Sequence, residues 1–377
     1  MKKFIFIFGT RPEAIKLAPL IIEMKKKNKF HARVCVTSQH REMLDQALGF
    51  FDIVPDYDLN IMKGGQSLFE VTFLALKGLE PVLDQEKPDA VIVQGDTTST
   101  FVGSLAAYYK KTRVVHVEAG LRSGDKYNPF PEEQFRRMAD TMADWCFAPT
   151  ESAAENLRKE NIAEENIFIT GNTGIDALLM TVAKIESDSM DRKLEEKFAG
   201  EFGLDWNGDR TVLVTIHRRE SFGRDLIGIC EGIEELAGIT PHTRFIWPLH
   251  PNPRVNKPVQ SRLGSVPNVH LIPPLDYSSF VWLMKRSYLI MTDSGGIQEE
   301  APSIGKPVMV LREKTERPEG IEIGTARLTG VNKDKIVKDA LLLLQNESAY
   351  LEMARRINPY GDGKASQKIV KILEKKL

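Results

Sequence analysis

Short, largely apolar runs alternate along this chain with longer segments of helical period, and that alternation limits the fold more than any other feature. The runs are Phe4 to Phe8, Ala32 to Thr37, Asp89 to Gln94, Arg113 to Glu118, Asp144 to Ala148 and Asn166 to Thr170. A strand with one wet face alternates polar and apolar residues. A continuously apolar strand is covered on both faces, which places it in a parallel sheet between two layers of helices. The pattern lapses in a charged, glycine-containing stretch between Lys184 and Arg210. It restarts at Thr211 to Ile216, Arg244 to Pro248, Val269 to Ile272, Tyr288 to Thr292 and Pro307 to Leu311. The expected fold class is α/β, with two doubly wound, Rossmann-like domains facing each other across a cleft that holds the active site.

At 377 residues and 42% hydrophobic content the chain is long enough for two cores. Lys and Arg (51) nearly cancel Asp and Glu (52), so no global field favours nucleic acid or an anionic membrane, and any anion site must be local. Cys35, Cys146 and Cys230 sit far apart in apolar runs and read as buried free thiols, not as a disulfide framework or metal cage. The apolar run after Lys3 stops at Gly9, too short for a signal sequence, and nothing approaches the roughly 18 apolar residues of a membrane span. A cytoplasmic location is therefore expected.

Asp293-Ser-Gly-Gly-Ile-Gln-Glu-Glu-Ala-Pro302 follows an apolar strand and leads into a helix-compatible segment. A strand turning through Ser-Gly-Gly into a helix presents free backbone N–H groups at the positive end of a helix dipole, a place for phosphate. Glu299 and Glu300 lie one turn further in, where a carboxylate can accept hydrogen bonds from ribose hydroxyls. The combination points to a nucleotide.

Gly9-Thr-Arg-Pro-Glu-Ala-Ile-Lys16 follows the first strand. Thr10 and Glu13 match a capping box with Pro12 in the first turn; capping accounts for those three but not for Arg11, which with Lys16 can face a diphosphate. Gln94-Gly-Asp-Thr-Thr-Ser-Thr100 puts Asp96 at the carboxyl edge of the sheet, where open α/β folds bind ligands. His116-Val-Glu-Ala-Gly-Leu-Arg122 puts Glu118 at the same edge one strand along, and Pro129-Phe-Pro131 introduces Glu132 and Glu133 at a helix start. Glu133 reads as an ordinary dipole partner. The other three carboxylates converge, and their mutual repulsion is expected to raise at least one pKa and supply a general acid and base. His217 ends the first strand of the second half with Arg218 beside it. His250 ends the next strand, and no pair of histidines has zinc-motif spacing. Thr315-Glu-Arg-Pro-Glu-Gly320 offers Arg317 to a carboxylate or phosphate, and Phe280 can pack in the core or against a base.

Taken together, Gly9-Thr-Arg-Pro-Glu-Ala-Ile-Lys16, Gln94-Gly-Asp-Thr-Thr98, Val117-Glu-Ala-Gly-Leu-Arg122, Pro131-Glu-Glu133, His217-Arg-Arg-Glu220, Thr292-Asp-Ser-Gly-Gly296 and Thr315-Glu-Arg-Pro-Glu319 resemble, in order and over nearly the whole chain, the non-hydrolysing UDP-N-acetylglucosamine 2-epimerases. The resemblance implies a B-type glycosyltransferase-like fold. Residues 1–172 would form an N-terminal domain, 173–358 a UDP-binding domain, and 359–377 would carry a last helix packing back on the first. It also implies reversible conversion of UDP-N-acetylglucosamine to UDP-N-acetylmannosamine, without NAD or metal, through elimination of UDP to a 2-acetamidoglucal and re-addition. The product would feed cell-surface polysaccharide synthesis.

By motif match, Asp96, Glu118, Glu132 and His217 are the catalytic candidates, with the division of labour among the carboxylates left open. Arg11, Lys16, Ser294, Gly295, Gly296, Glu300 and Arg317 would bind UDP, with Leu275 and Phe280 bordering uracil. Gln39, Glu132 and His250 match parts of an allosteric site where relatives bind a second UDP-N-acetylglucosamine; Glu42 and Gly65 depart from that pattern. A homodimer is implied by the family alone. The alternatives are a hydrolysing enzyme releasing N-acetylmannosamine, a 2-epimerase of a modified UDP-HexNAc, and a non-catalytic sugar-nucleotide sensor. The retained Arg-Pro-Glu turn speaks against the first, and the three carboxylates against the last.

Overall fold

The computed structural model describes residues 1–37, 41–187, 189–206, 208–218 and 223–376. The chain divides into two compact units, Met1–Ala177 with Tyr360–Leu377, and Leu178–Pro359.

The first unit contains β1 (Lys2–Phe8), β2 (Phe30–Val36), β3 (Tyr57–Asp58), β4 (Ala90–Gln94), β5 (Arg113–Val117), β6 (Trp145–Ala148) and β7 (Ile167–Ile169). They form one parallel sheet in the order β3-β2-β1-β4-β5-β6-β7. The second unit contains β8 (Arg210–Thr215), β9 (Thr243–Pro248), β10 (Val269–Ile272), β11 (Leu289–Thr292), β12 (Val308–Val310) and β13 (Ala326–Leu328). These are parallel too, in the order β10-β9-β8-β11-β12-β13.

Central strands are buried end to end, as their composition requires: β4 and β11 expose no residue. The second unit shows how the period of two builds two cores from one sheet. Val212, Val214, Met291 and Met309 point into one layer with Ile229, Ile233 and Ile336. Their neighbours Leu213, Ile290, Val308 and Val310 point into the other, with Phe198 and Trp282.

Three elements depart from the sequence expectation. The edge strands β3 and β13 are two and three residues long, too short for periodicity to register. The charged stretch after Lys184 is not merely a break between halves. It contains the helix Met190–Phe202, which buries Leu194 and Phe198 and exposes Arg192, Lys193, Glu196 and Glu201. Among the described residues no helix is long and apolar enough to cross a membrane, and Cys35, Cys146 and Cys230 are buried free thiols.

The C-terminal helix Ala365–Lys376 belongs to the first unit and packs on the helix Arg11–Lys25. Its start is held by Asp176, whose carboxylate accepts from the Ala365 and Ser366 N–H groups at 3.2 and 2.8 Å. Asp176→Ala should remove this cap and lower the stability of the first unit by about 0.5–2 kcal/mol. The check is a urea melt together with limited proteolysis, in which cleavage near residue 360 should speed up.

Candidate active site

Each sheet reverses its winding once, between β1 and β4 in the first unit and between β8 and β11 in the second. The connections leaving such a pair of strands run to opposite faces and leave a crevice at the carboxyl ends, the usual ligand position of open α/β sheets. The polar motifs of the sequence sit there. In the first unit Gly9 to Lys16 leaves β1 and Asp96 follows β4; in the second, His217 follows β8 and Asp293 to Gly296 follows β11.

In the first unit the crevice loops are tied together by a buried acid. The Glu13 carboxylate accepts from the Gly9 and Thr10 N–H groups at 3.1 and 2.8 Å and from the Thr10 hydroxyl at 2.7 Å. Its other oxygen accepts from the hydroxyls of Thr97 at 2.7 Å and Thr100 at 3.2 Å, beyond β4. The capping partner expected from sequence therefore also staples the β1 loop to the β4 loop. Burial raises the Glu13 pKa, and the hydrogen bonds from Thr97, Thr10 and Gly9 only partly offset it.

Asp96 and Glu118 end adjacent strands, and each has a cation of its own. Arg136, on the helix Glu132–Met142, reaches Asp96 at 2.5 Å, and Lys16 donates to Glu118. The repulsion expected among the carboxylates is thus countered at two of them by charges that sequence spacing does not reveal. Arg136 in particular stands 40 residues from its partner. Glu132 opens that same helix, half-buried. Glu133 does more than balance the helix dipole. Almost completely buried, it accepts from the N–H groups of Ser123 at 3.0 Å and Gly124 at 3.4 Å and lies 3.5 Å from Arg136, so it holds down the loop after β5.

In the second unit the fully buried Asp293 carboxylate accepts from the backbone N–H groups of His217 at 3.1 Å and Arg218 at 2.9 Å, and lies 3.1 Å from His217 Nδ1. It thereby joins the β11 exit to the β8 exit and fixes a half-exposed imidazole. His250, after β9, has its pKa lowered by burial first and then by the neighbouring His217, with Asp293 opposing.

Ser294, Gly295 and Gly296 begin the helix Gly295–Glu300, and the Ser294 N–H donates to the Thr292 hydroxyl at 2.9 Å. A methyl placed on Gly295 would lie 3.5 Å from a terminal nitrogen of Arg218 and 3.6 Å from the guanidinium carbon of Arg317. Two cations thus flank that helix start, where the motifs point to Arg317 alone. Glu316 marks the same field. Although burial opposes its ionisation, Arg218, Arg312 and Arg317 hold its pKa below the usual value.

Glu299, one of two ribose candidates in the sequence, is buried and accepts from Arg317, while Glu300, the other, is half-buried. Leu275 and Phe280 are partly buried against the core around Trp282. Arg11 is the first residue of its helix and half-buried. Gln39 lies outside the described residues, as does the side chain of Glu42. Among the described residues no group of three His, Cys, Asp or Glu side chains is arranged to hold a metal.

Two parallel Rossmann-type sheets, each with acids and cations gathered at its winding reversal, have the architecture of the B-type glycosyltransferase-like class. A family model described as UDP-N-acetylglucosamine 2-epimerase matches residues 22–374, and the chain belongs to that family. It is 52% identical over 373 residues to the UDP-N-acetylglucosamine 2-epimerase of Salmonella typhimurium, covering 99% of this chain and 98% of that one. The crystal structure of UDP-GlcNAc 2-epimerase from Neisseria meningitidis bound to UDP-GlcNAc is 48% identical, with a TM-score of 0.92 over 100% of both chains. That from Methanocaldococcus jannaschii, in complex with UDP-GlcNAc and UDP, is 37% identical with a TM-score of 0.82, again over 100% of each.

Glu13 generates a pH prediction. Its folded pKa is raised above the usual 4.5, so the folded state binds the proton more tightly than the unfolded one. The stability it contributes is present below pH 4.5 and lost as pH rises through the folded pKa. Glu13→Gln, which cannot ionise, should abolish that decline, so the stability of the variant relative to the native chain should improve from acid to neutral pH. Denaturant melts across that range give the difference directly.

Proposed function

We propose that this chain inverts C2 of UDP-N-acetylglucosamine to give UDP-N-acetylmannosamine, reversibly and without releasing free amino sugar. The observation that carries the reading is the pair Asp96 and Glu118 at the ends of adjacent parallel strands, each with its own cation, beside a winding reversal. Family membership and the ligands of the Neisseria and Methanocaldococcus structures support the substrate.

The C2 proton is not adjacent to a carbonyl and is barely acidic, so its removal must be coupled to departure of UDP. A carboxylate takes the C2 proton. The C–H electron pair becomes the C1–C2 double bond of a 2-acetamidoglucal, and the C1–O pair leaves with UDP. A proton then reaches C2 on the opposite face while a diphosphate oxygen re-forms the bond to C1.

Two faces need two proton-handling groups, drawn from Asp96, Glu118 and Glu132. Charge on the departing UDP is met by His217, Arg11, Lys16, Arg317 and the helix terminus formed by Ser294, Gly295 and Gly296. Glu300 accepts from the ribose hydroxyls, and Leu275 and Phe280 border the uracil. A second UDP-N-acetylglucosamine acts as activator through Gln39, Glu132 and His250. The reaction needs no NAD or metal and runs in the cytosol, in a homodimer, supplying an activated sugar for polysaccharide synthesis.

Incubation in deuterated water should give UDP-N-acetylmannosamine carrying deuterium at C2, read by NMR and mass spectrometry. Epimer without deuterium would overturn the elimination route, and free N-acetylmannosamine with UDP would make the enzyme a hydrolysing one.

Separately, Asp96→Asn, Glu118→Gln and Glu132→Gln should each lower kcat by at least about 10²-fold while UDP affinity changes little. Glu300→Ala should weaken UDP binding instead. Near-normal turnover in all three carboxamide variants, measured by coupled assay, would refute the assignment.

A further inference from the structure

His116 is completely buried in the middle of the first sheet, yet both of its ring nitrogens are engaged. Nε2 lies 2.7 Å from the Gly95 carbonyl oxygen and Nδ1 lies 2.6 Å from Asp140 Oδ1. A backbone carbonyl can only accept, so Nε2 must carry a proton. The other oxygen of Asp140 already accepts from the Gly120 N–H at 3.2 Å and from Arg122 at 2.7 Å, the bonding of an ionised carboxylate. Such a carboxylate accepts from Nδ1 as well, so the imidazole carries both protons. Burial works against the charge on Asp140, but His116 and then Arg122 outweigh it and hold its pKa below the usual value.

What this buried pair grips gives it a use. Gly95 immediately precedes Asp96, and its backbone is held on both sides by β5: the N–H donates to the Val117 carbonyl at 3.0 Å and the carbonyl accepts from His116. Gly120 closes the turn that carries Glu118. Glu118 itself has φ of 67°, a left-handed conformation that a non-glycine residue keeps only when its surroundings impose it. Gly120 has φ of 85°, and a methyl there would stand 2.2 Å from the Ala153 carbonyl oxygen, so this turn has no slack.

We infer that His116, as a buried imidazolium paired with Asp140, is a positioning residue that sets Asp96 and Glu118 relative to each other, one through the Gly95 carbonyl and the other through the Gly120 N–H. The inference rests on the reading of Asp96 and Glu118 as proton-handling groups. The ionisable groups around the imidazolium are Asp140 on the helix Glu132–Met142, Arg122 and Glu160 behind Asp140, and Cys146 on β6. Burial and then Asp140 push the Cys146 thiol well above its usual pKa, so it adds no charge near neutrality. The positive charge of His116 therefore answers Asp140, while Arg122 is shared with Glu160.

The test begins with the native enzyme labelled with ¹⁵N at histidine. One imidazole should show both nitrogens in the imidazolium range at neutral pH, because both ring nitrogens face acceptors. That signal should vanish in His116→Gln. In His116→Gln and Asp140→Asn, kcat should fall by about 10- to 100-fold while KM and the Kd for UDP stay within about two-fold, as expected when reacting groups are displaced and the ligand site is not.

A neutral imidazole in the native spectrum overturns the inference whether or not either variant folds. So does either folded variant with native kcat, or loss of UDP binding in step with kcat. Asp96→Asn and Glu118→Gln run alongside. If they keep full turnover the reading of the carboxylates fails, whereas their inactivity beside a fully active His116→Gln fails the positioning role alone.

Discussion

A parallel strand buried on both faces can offer chemistry only where it ends. β4 and β11 expose no side chain along their length, so every group able to meet a ligand must leave the sheet at a carboxyl end. The winding reversals between β1 and β4 and between β8 and β11 then decide which ends are uncovered. The cost of this arrangement is that the loops leaving the strands are short and polar and lie over a dry core, where an unpaired N–H or carboxylate is destabilising by about 1–3 kcal/mol. Three buried acids meet that cost. Glu13 joins the β1 and β4 loops, Asp140 with His116 joins the β4 and β5 loops, and Asp293 joins the β8 and β11 loops. Glu13 accepts from donors on two loops, while Asp140 and Asp293 each stand on one element and accept from the backbone of another, so the polar groups that make the loops tolerable also tie them together.

The same economy of charge governs the groups nearer the crevice. A chain with net charge of −1 has no overall field to gather an anion, yet Arg218 and Arg317 flank the start of the helix Gly295–Glu300 and hold Glu316 ionised against its burial. In the first unit the balance is reversed, with carboxylates at the strand ends and Lys16 and Arg136 set against them.

Residues with a local signature are legible in the amino-acid order itself. Glu13 is visible as a capping partner because its contact with Thr10 spans three residues, and the phosphate-type turn from Ser294 to Gly296 is visible because strand, glycines and helix are contiguous. Arg136, Asp140 and the stapling role of Glu13 have no such signature. Their partners are Asp96, His116 and Thr97, between 24 and 84 positions away, and spacing of that kind carries no period. The loop-holding role of Glu133 is hidden for a related reason: a helix start explains an acid well enough that nothing in the sequence asks for the Ser123 and Gly124 N–H groups. Edge strands β3 and β13 escape sequence reading because two or three residues cannot display an alternation.

Composition and periodicity alone determined that the chain builds two parallel α/β sheets, because continuous apolar runs between helices have no other way to be buried on both sides. The order and identity of the polar motifs carried the resemblance to the family, and the family model and relatives bear it out. Which carboxylate is paired with which cation, and that His116 lies between Gly95 and Asp140 with both nitrogens used, was decided by the tertiary structure. Those pairings join groups on different strands and helices, and their strength depends on distance and burial, neither of which exists until the sheet has assembled.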